Sequence, residues 1–299
     1  MTDLRLKTDS AKKWRTTYLA WGLLLPSVAF LSVFTLYPIG YSAYMSLFKN
    51  NMSTFATGPQ YIGLKNYVDL FTRDAVFSKA FTNNLIIAAV TVPLSIALAV
   101  AMAIFANRVK TGKGAVRVSF FYPTLLPMVA VANIWLFIYT PMYGLLGSFN
   151  PNWRFLDNVN TVLQAMIVML VWKQAGYVMI FYIAGLQNIN QELYEAARID
   201  GANAGQMFRR ITWPLLRPTT IYVTIITLTN AYKMVDHLYI MTKGGPDNAS
   251  NMLLFYVYQK AFDQSNTGVA SAVTVILIAI LLIATSVHFF TQDRRTFYA

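Results

Sequence analysis

Residues 195–218 read Glu195-Ala-Ala-Arg-Ile-Asp-Gly-Ala-Asn-Ala-Gly-Gln-Met-Phe-Arg-Arg-Ile-Thr-Trp-Pro-Leu-Leu-Arg-Pro218, a polar, basic stretch set between two long apolar runs. Just upstream, Asn188 and Asn190 suit helix N-caps, and Glu192 and Glu195 place negative charge in the first turns, where the helix dipole favours it. Leu193, Ala196, Ala197 and Ile199 give a small, smooth apolar face at helical spacing. Gly201 permits the backbone conformation that ends such a helix. Asn203 can cap a second short helix carrying Met207, Phe208 and Ile211, with Arg209 and Arg210 near its end and Pro214 expected to stop it. The expectation is helix, glycine turn, helix. An alternative is an amphipathic helix lying on lipid headgroups, which Arg198, Arg209, Arg210 and Arg217 would suit. The alanines argue against it, because surface-seeking helices carry large apolar residues.

The chain around this stretch is built for lipid. Of its 299 residues 56% are apolar and 12% charged, about half the charge of a soluble domain. A membrane span needs about 20 mainly apolar residues, and six segments qualify: about 17–47, 80–106, 118–140, 161–185, 219–241 and 267–290. The expected fold is all-α and polytopic, one membrane domain over 1–299 with 186–218 as a loop between spans. Lys12, Lys13 and Arg15 ahead of an apolar run resemble a signal peptide, but the run is too long and no small-residue cleavage site follows, so it is expected to persist as the first span. Short surface helices are expected near Tyr61–Phe71 and Leu253–Phe262, the second after the turn cluster at 244–248.

Lys and Arg counts give an orientation. Segments 1–16, 107–117, 186–218 and 291–299 hold 15 basic residues in 69 positions; segments 48–79, 141–160 and 241–266 hold 7 in 78. This excess places both termini and the 186–218 loop in the cytoplasm. The formal charge of +12 follows the loops rather than one patch, so topology explains it and no nucleic-acid partner is expected. With no cysteine, two histidines and no H-E-x-x-H, neither a catalytic constellation nor a metal site is expected.

Glu195, Ala196, Ala197, Gly201, Ile211 and Pro214 are in register with E-A-A-x3-G-x9-I-x-L-P, the EAA loop of bacterial ABC import permeases, with Trp213 in place of the usual Leu. Gly63-Leu-Lys-Asn-Tyr67, Val171-Trp-Lys-Gln174, Ala184-Gly-Leu-Gln187 and the run from Lys233 through Asp236 and Tyr239 to Pro246 also resemble elements of carbohydrate-type permeases of the maltose and glycerol-3-phosphate importer superfamily. Asn190 stands where proline is common, and it keeps the N-cap chemistry. The resemblance implies the type I ABC importer permease fold in the bacterial inner membrane, with six spans and a cytoplasmic coupling helix. It implies a second permease subunit, usually a different chain, two ATP-binding subunits and an extracytoplasmic solute-binding protein. Glu195, Ala196, Ala197, Asp200, Gly201, Ile211 and Pro214 would engage the ATPase, and the cargo would be a sugar, oligosaccharide or polyol derivative. The chain has no G-x4-G-K-[ST] loop, so ATP and Mg would sit on the partner and no cofactor is expected on this chain. A secondary transporter or channel subunit for a polar solute is the alternative; it would not need the paired cytoplasmic helices.

Polar residues inside the spans are candidates for the solute pathway. Asn230, Lys233 and His237 fall at i, i+3 and i+7. Asp236, three residues from Lys233, is placed to pair with it, so a pathway lining and an internal structural ion pair both stand. Lys173, Gln174 and Tyr177 form a second patch, with Lys173 near mid-span and in need of a partner or water. Tyr232, Tyr177 and Trp135 offer faces on which sugars stack. Asn84 and Asn133 are weaker candidates, and Pro26, Pro38, Pro93, Pro123 and Pro127 are expected kink sites.

Overall fold

The structure is a computed structural model that describes the backbone of residues 2–109, 111–233 and 235–293, and the side chains of 17–109, 111–233 and 235–290. The side chains of Lys12, Lys13 and Arg15, and the basic residues Lys110, Arg294 and Arg295 counted above, lie outside the described residues.

The described chain is mostly helical, as a backbone that must satisfy its own polar groups in lipid requires. Helix α1 (Thr2–Leu31) passes through a π-turn at Ser32–Leu36 into α2 (Tyr37–Met45). A two-residue pairing of β1 (Phe48–Lys49) with β2 (Gln60–Tyr61) follows, so the surface helix expected from Tyr61 begins later, as α3 (Lys65–Arg73). Then come α4 (Ala75–Arg108), α5 (Lys113–Leu125), α6 (Met128–Tyr139) and α7 (Val162–Gln187). The 186–218 region holds α8 (Gln191–Ile199), α9 (Ala204–Met207) and α10 (Trp213–Leu215). The chain ends in α11 (Arg217–Lys233), α12 (Asp236–Met241), α13 (Leu253–Tyr258) and α14 (Thr267–Asp293).

Among the described residues four helical stretches are long and apolar enough to cross a membrane: Thr17–Met45, α4, α7 and α14. The expected span 118–140 is a pair, α5 and α6, bent by 96° at Leu126–Pro127, and makes a fifth if counted as one. The expected span 219–241 corresponds to α11 and α12. It falls short on these measures because α11 has only 17 residues, five of them threonine, and the helix is interrupted before Asp236.

The core is the α4–α7 pair. Ala99, Ala103 and Ala106 on α4 are fully buried, and such small side chains bring helix axes close where lipid gives no hydrophobic drive to association. Val131, Met166, Leu170, Met179, Tyr182 and Leu238 complete this cluster. A second cluster (Leu70, Phe77, Leu253, Tyr256 and Val273) joins α3, the start of α4, α13 and α14 at the far end from α8. No described side chain of α1 is buried in this chain.

Only one of the expected proline breaks is sharp. Pro26, Pro93 and Pro123 sit within helices. Pro38 and Pro214 each follow a π-turn by two residues, Ser32–Leu36 and Phe208–Thr212. In the π-turn the Trp213 N–H reaches back five residues to the Phe208 carbonyl, an added residue that accommodates a proline lacking its own donor. Pro214 therefore does not stop the helix as expected from sequence; the path continues through α10 into α11.

Candidate functional site

The 186–218 region forms an elbow of short helices. Asn190, and not Asn188, caps α8: its Oδ1 accepts the Glu192 N–H at 3.0 Å, while Asn188 ends α7. After α8 the Ala202 N–H donates to the Ala197 carbonyl and the Gly201 N–H to that of Arg198, a Schellman closure with Gly201 at φ +79°. Any β-carbon at Gly201 would meet open space, so glycine is needed there for its backbone angle, not for room. Asn203 and Gln206 then form a reciprocal capping box that starts α9. The two arms are tied by a 2.9 Å hydrogen bond between the hydroxyls of Tyr194 and Thr212.

This elbow turns its surface outward. No residue of α8 is buried, Glu195, Ala196, Asp200 and Gly201 are exposed, and Ile199 stands 87% exposed. Ala197, Ile211 and Pro214 are half-buried toward the rest of the chain. The elbow therefore presents a well-capped helix whose apolar edge, at Leu193 and Ile199, stands exposed beside acidic groups.

Lys173 has partners at the α5–α6 bend. Its ammonium donates to the carbonyls of Pro123, Thr124 and Leu126 at 2.8, 3.1 and 2.5 Å. These belong to the end of α5, where intrahelical donors run out and the dipole favours a cation. Gly176, one turn along α7, lets the Phe120 backbone approach so closely that a β-carbon would collide with its carbonyl. Lys173 thus has, in this clasp on α5, the partner that a mid-span lysine was expected to need.

The residues at the α11–α12 break behave otherwise. Lys233 ends α11 and Asp236 opens α12; both are exposed and no ion pair joins them among the described residues. The expected structural pair is absent because the helix that would have set their i, i+3 spacing stops between them. For the same reason His237 does not share a face with Asn230 and Lys233. It is fully buried on α12, and neither ring nitrogen finds a hydrogen-bond partner among the described residues.

Other buried polar atoms are likewise unpaired: both amide atoms of Gln174, the hydroxyls of Thr91 and Ser95, and Nε1 of Trp135. Thr91 and Ser95 escaped the sequence reading; hydroxyls at i, i+4 inside an apolar helix were the signal. Tyr177 packs edge-on against Phe181, Tyr232 is buried, and Asn230 is half-buried. Asn84 accepts the Leu253 N–H, and Asn133 donates to its own helix at Val129, which gives both structural work.

At the far end from the elbow, Asp74 caps α4 and also accepts from Tyr256, with Lys260 3.6 Å away. Burial, and then the Asp74 carboxylate, push the Tyr256 phenol well above its ordinary range. Asn83 holds the Asn248 and Asn251 carbonyls, and Lys79 pairs with Asp247, pinning the 244–251 turn to α4.

Comparison with known proteins adds to this geometry. A family model described as "Binding-protein-dependent transport system inner membrane component" matches residues 92–296. The chain is 35% identical over 268 residues to the probable ABC transporter permease protein YurN of Bacillus subtilis, covering 87% of this chain and 90% of that one. It is 29% identical to the sn-glycerol-3-phosphate transport system permease protein UgpA of Agrobacterium fabrum, covering 92% and 95%. Its fold matches a chain of a bacterial alginate ABC transporter solved in complex with alginate pentasaccharide-bound periplasmic protein, with TM-score 0.81, 23% identity and 95% and 97% coverage.

Proposed function

Because the chain belongs to the family of binding-protein-dependent transport system inner membrane components, we propose that it is a six-span permease subunit that moves a sugar, oligosaccharide or polyol derivative by alternating access. The observation that carries the mechanism is the outward-facing elbow of α8, the Gly201 closure and α9, capped and braced internally but bare on its apolar edge. In this reading α8 enters a cleft of an ATP-binding subunit, with Glu195, Ala196, Ala197, Asp200 and Gly201 at the contact and Ile211 and Pro214 holding the second arm. ATP and Mg reside on that subunit. A second, different permease chain completes the pathway, and a solute-binding protein delivers the cargo to the opposite face. In this reading the elbow and both termini lie in the cytoplasm, which the basic-residue excess supports.

The carbohydrate assignment draws on what the relatives and the structural neighbour are named for, together with the motif run from Lys233 to Pro246. Within the chain, the polar groups without a side-chain partner among the described residues are the buried Gln174 and the more accessible Asn230, Lys233 and Asp236, with Tyr177 and Tyr232 nearby in sequence. A secondary transporter would have no use for the paired elbow. The test is Gly201→Asp in the transporter complex reconstituted in vesicles. A non-glycine residue at this φ costs about 1–2 kcal/mol locally and disturbs the turn that orients α8. ATP hydrolysis should continue while uptake is lost; undiminished uptake would remove the docking role.

A further inference from the structure

Beside the elbow lies a cavity of about 870 Å³ that the transport reading leaves unused. One wall is α4 from Val92 to Ile104; the other is formed by Phe208, Arg209 and Trp213 and the start of α11. Twelve residue steps along α4 span about 18 Å, close to the roughly 15 Å that one leaflet contributes to a hydrocarbon core of about 30 Å. The groove occupies the half of α4 nearer the elbow, so it runs through a single leaflet.

Its chemistry is two-part. The walls are apolar, with Ala97 and Ala101 exposed on the floor, and the hydroxyls that line it, on Thr220 and Thr224, donate one turn back to the carbonyls of Leu216 and Thr220. At the elbow end the Arg209 guanidinium is exposed and makes no ion pair or hydrogen bond with any described residue; Arg210 stands next to it. Trp213, the departure from the EAA pattern, lies against Phe208 at this mouth, with ring centres 6.2 Å apart. An indole at a lipid–water boundary is a common anchor.

We propose that this groove holds an anionic phospholipid of the elbow-side leaflet, one acyl chain along Ala97 and Ala101 and the phosphate on Arg209. Charge complementarity selects this occupant. A hydroxylated solute gains nothing from the apolar walls, and an apolar helix of another subunit would leave the guanidinium without a counter-charge. The site goes beyond the permease function and needs only the inner-membrane placement that the family supplies.

The absence of cysteine makes the test clean. Ala101→Cys, carrying a nitroxide, is placed in the full chain, purified with its bound subunits and returned to vesicles of one part phosphatidylglycerol to three of phosphatidylcholine. Relaxation by oxygen, which enters lipid, should far exceed relaxation by a water-soluble nickel chelate. Dominance of the chelate identifies a watery pathway, and protection from both identifies a covering protein helix; either overturns the proposal. In parallel, native mass spectrometry of the protein equilibrated with equal amounts of the two lipids should show phosphatidylglycerol enriched. Arg209→Gln should lower that enrichment about five-fold, the equivalent of about 1 kcal/mol for one basic residue at the surface, and leave phosphatidylcholine unchanged. Equal retention of both lipids by the unsubstituted chain, or unchanged enrichment in Arg209→Gln, also overturns it.

Discussion

Where α5 gives way to α6, the ends of the break are stitched: Lys173 reaches from α7 and takes three carbonyls at once. Where α11 gives way to α12, Lys233 and Asp236 stand exposed and apart, and His237 is buried with neither nitrogen paired among the described residues. Both breaks interrupt apolar helical runs, and both have a lysine beside them. The difference is where the cation is spent. A lysine consumed by backbone carbonyls fixes a 96° corner; a lysine left free is available to a solute, a partner chain or a moving segment.

The sharpest way to break this contrast is Lys173→Met. It removes the one side-chain cation that, among the described residues, meets the α5 terminus, and leaves part-buried acceptors unmet, with an expected loss of about 3 kcal/mol, read as a lowered unfolding midpoint in mild detergent. Stability unchanged by that substitution would make the two breaks equivalent. Next in size is His237→Leu. Replacing a buried imidazole that has no partner with an apolar side chain should stabilise by about 1 kcal/mol. If uptake falls while the midpoint rises, the ring belongs to the transport cycle rather than to packing. A capping change at the elbow, Asn190→Ala, should cost about 1 kcal/mol of local helix stability and appear as faster hydrogen exchange confined to α8. The smallest thermodynamic effect is expected for Lys233→Ala with Asp236→Ala, within about 0.5 kcal/mol. Its signature should be altered dependence of uptake on solute concentration. A large drop in stability would restore the ion pair that the helix break rules out.

Much of the elbow was legible in the sequence because its determinants are local. Asn190, Gly201 and Asn203 act on backbone groups within five residues, and no distant partner decides their role. Long apolar spans were legible for the same reason. What hid was contact across the fold. Lys173 meets residues about fifty positions away, so its sequence neighbours Gln174 and Tyr177 suggested a polar lining and said nothing of the α5 terminus. The i, i+3, i+7 face drawn through Asn230, Lys233 and His237 assumed a continuous helix; threonine-rich α11 ends too early for it. Pro214 was read as a stop because a regular helix cannot spare the donor, whereas the π-turn ahead of it changes the count.

That π-turn has a mechanical consequence. Had Pro214 ended the helix, a displacement of the elbow would be lost in a flexible joint within one turn of where it began. Instead, near-continuous helical winding leads from Ala204 to Lys233, about 45 Å of path at 1.5 Å per residue. A shove delivered at one end of that winding would travel along it to Lys233, the exposed lysine that no described side chain ties down.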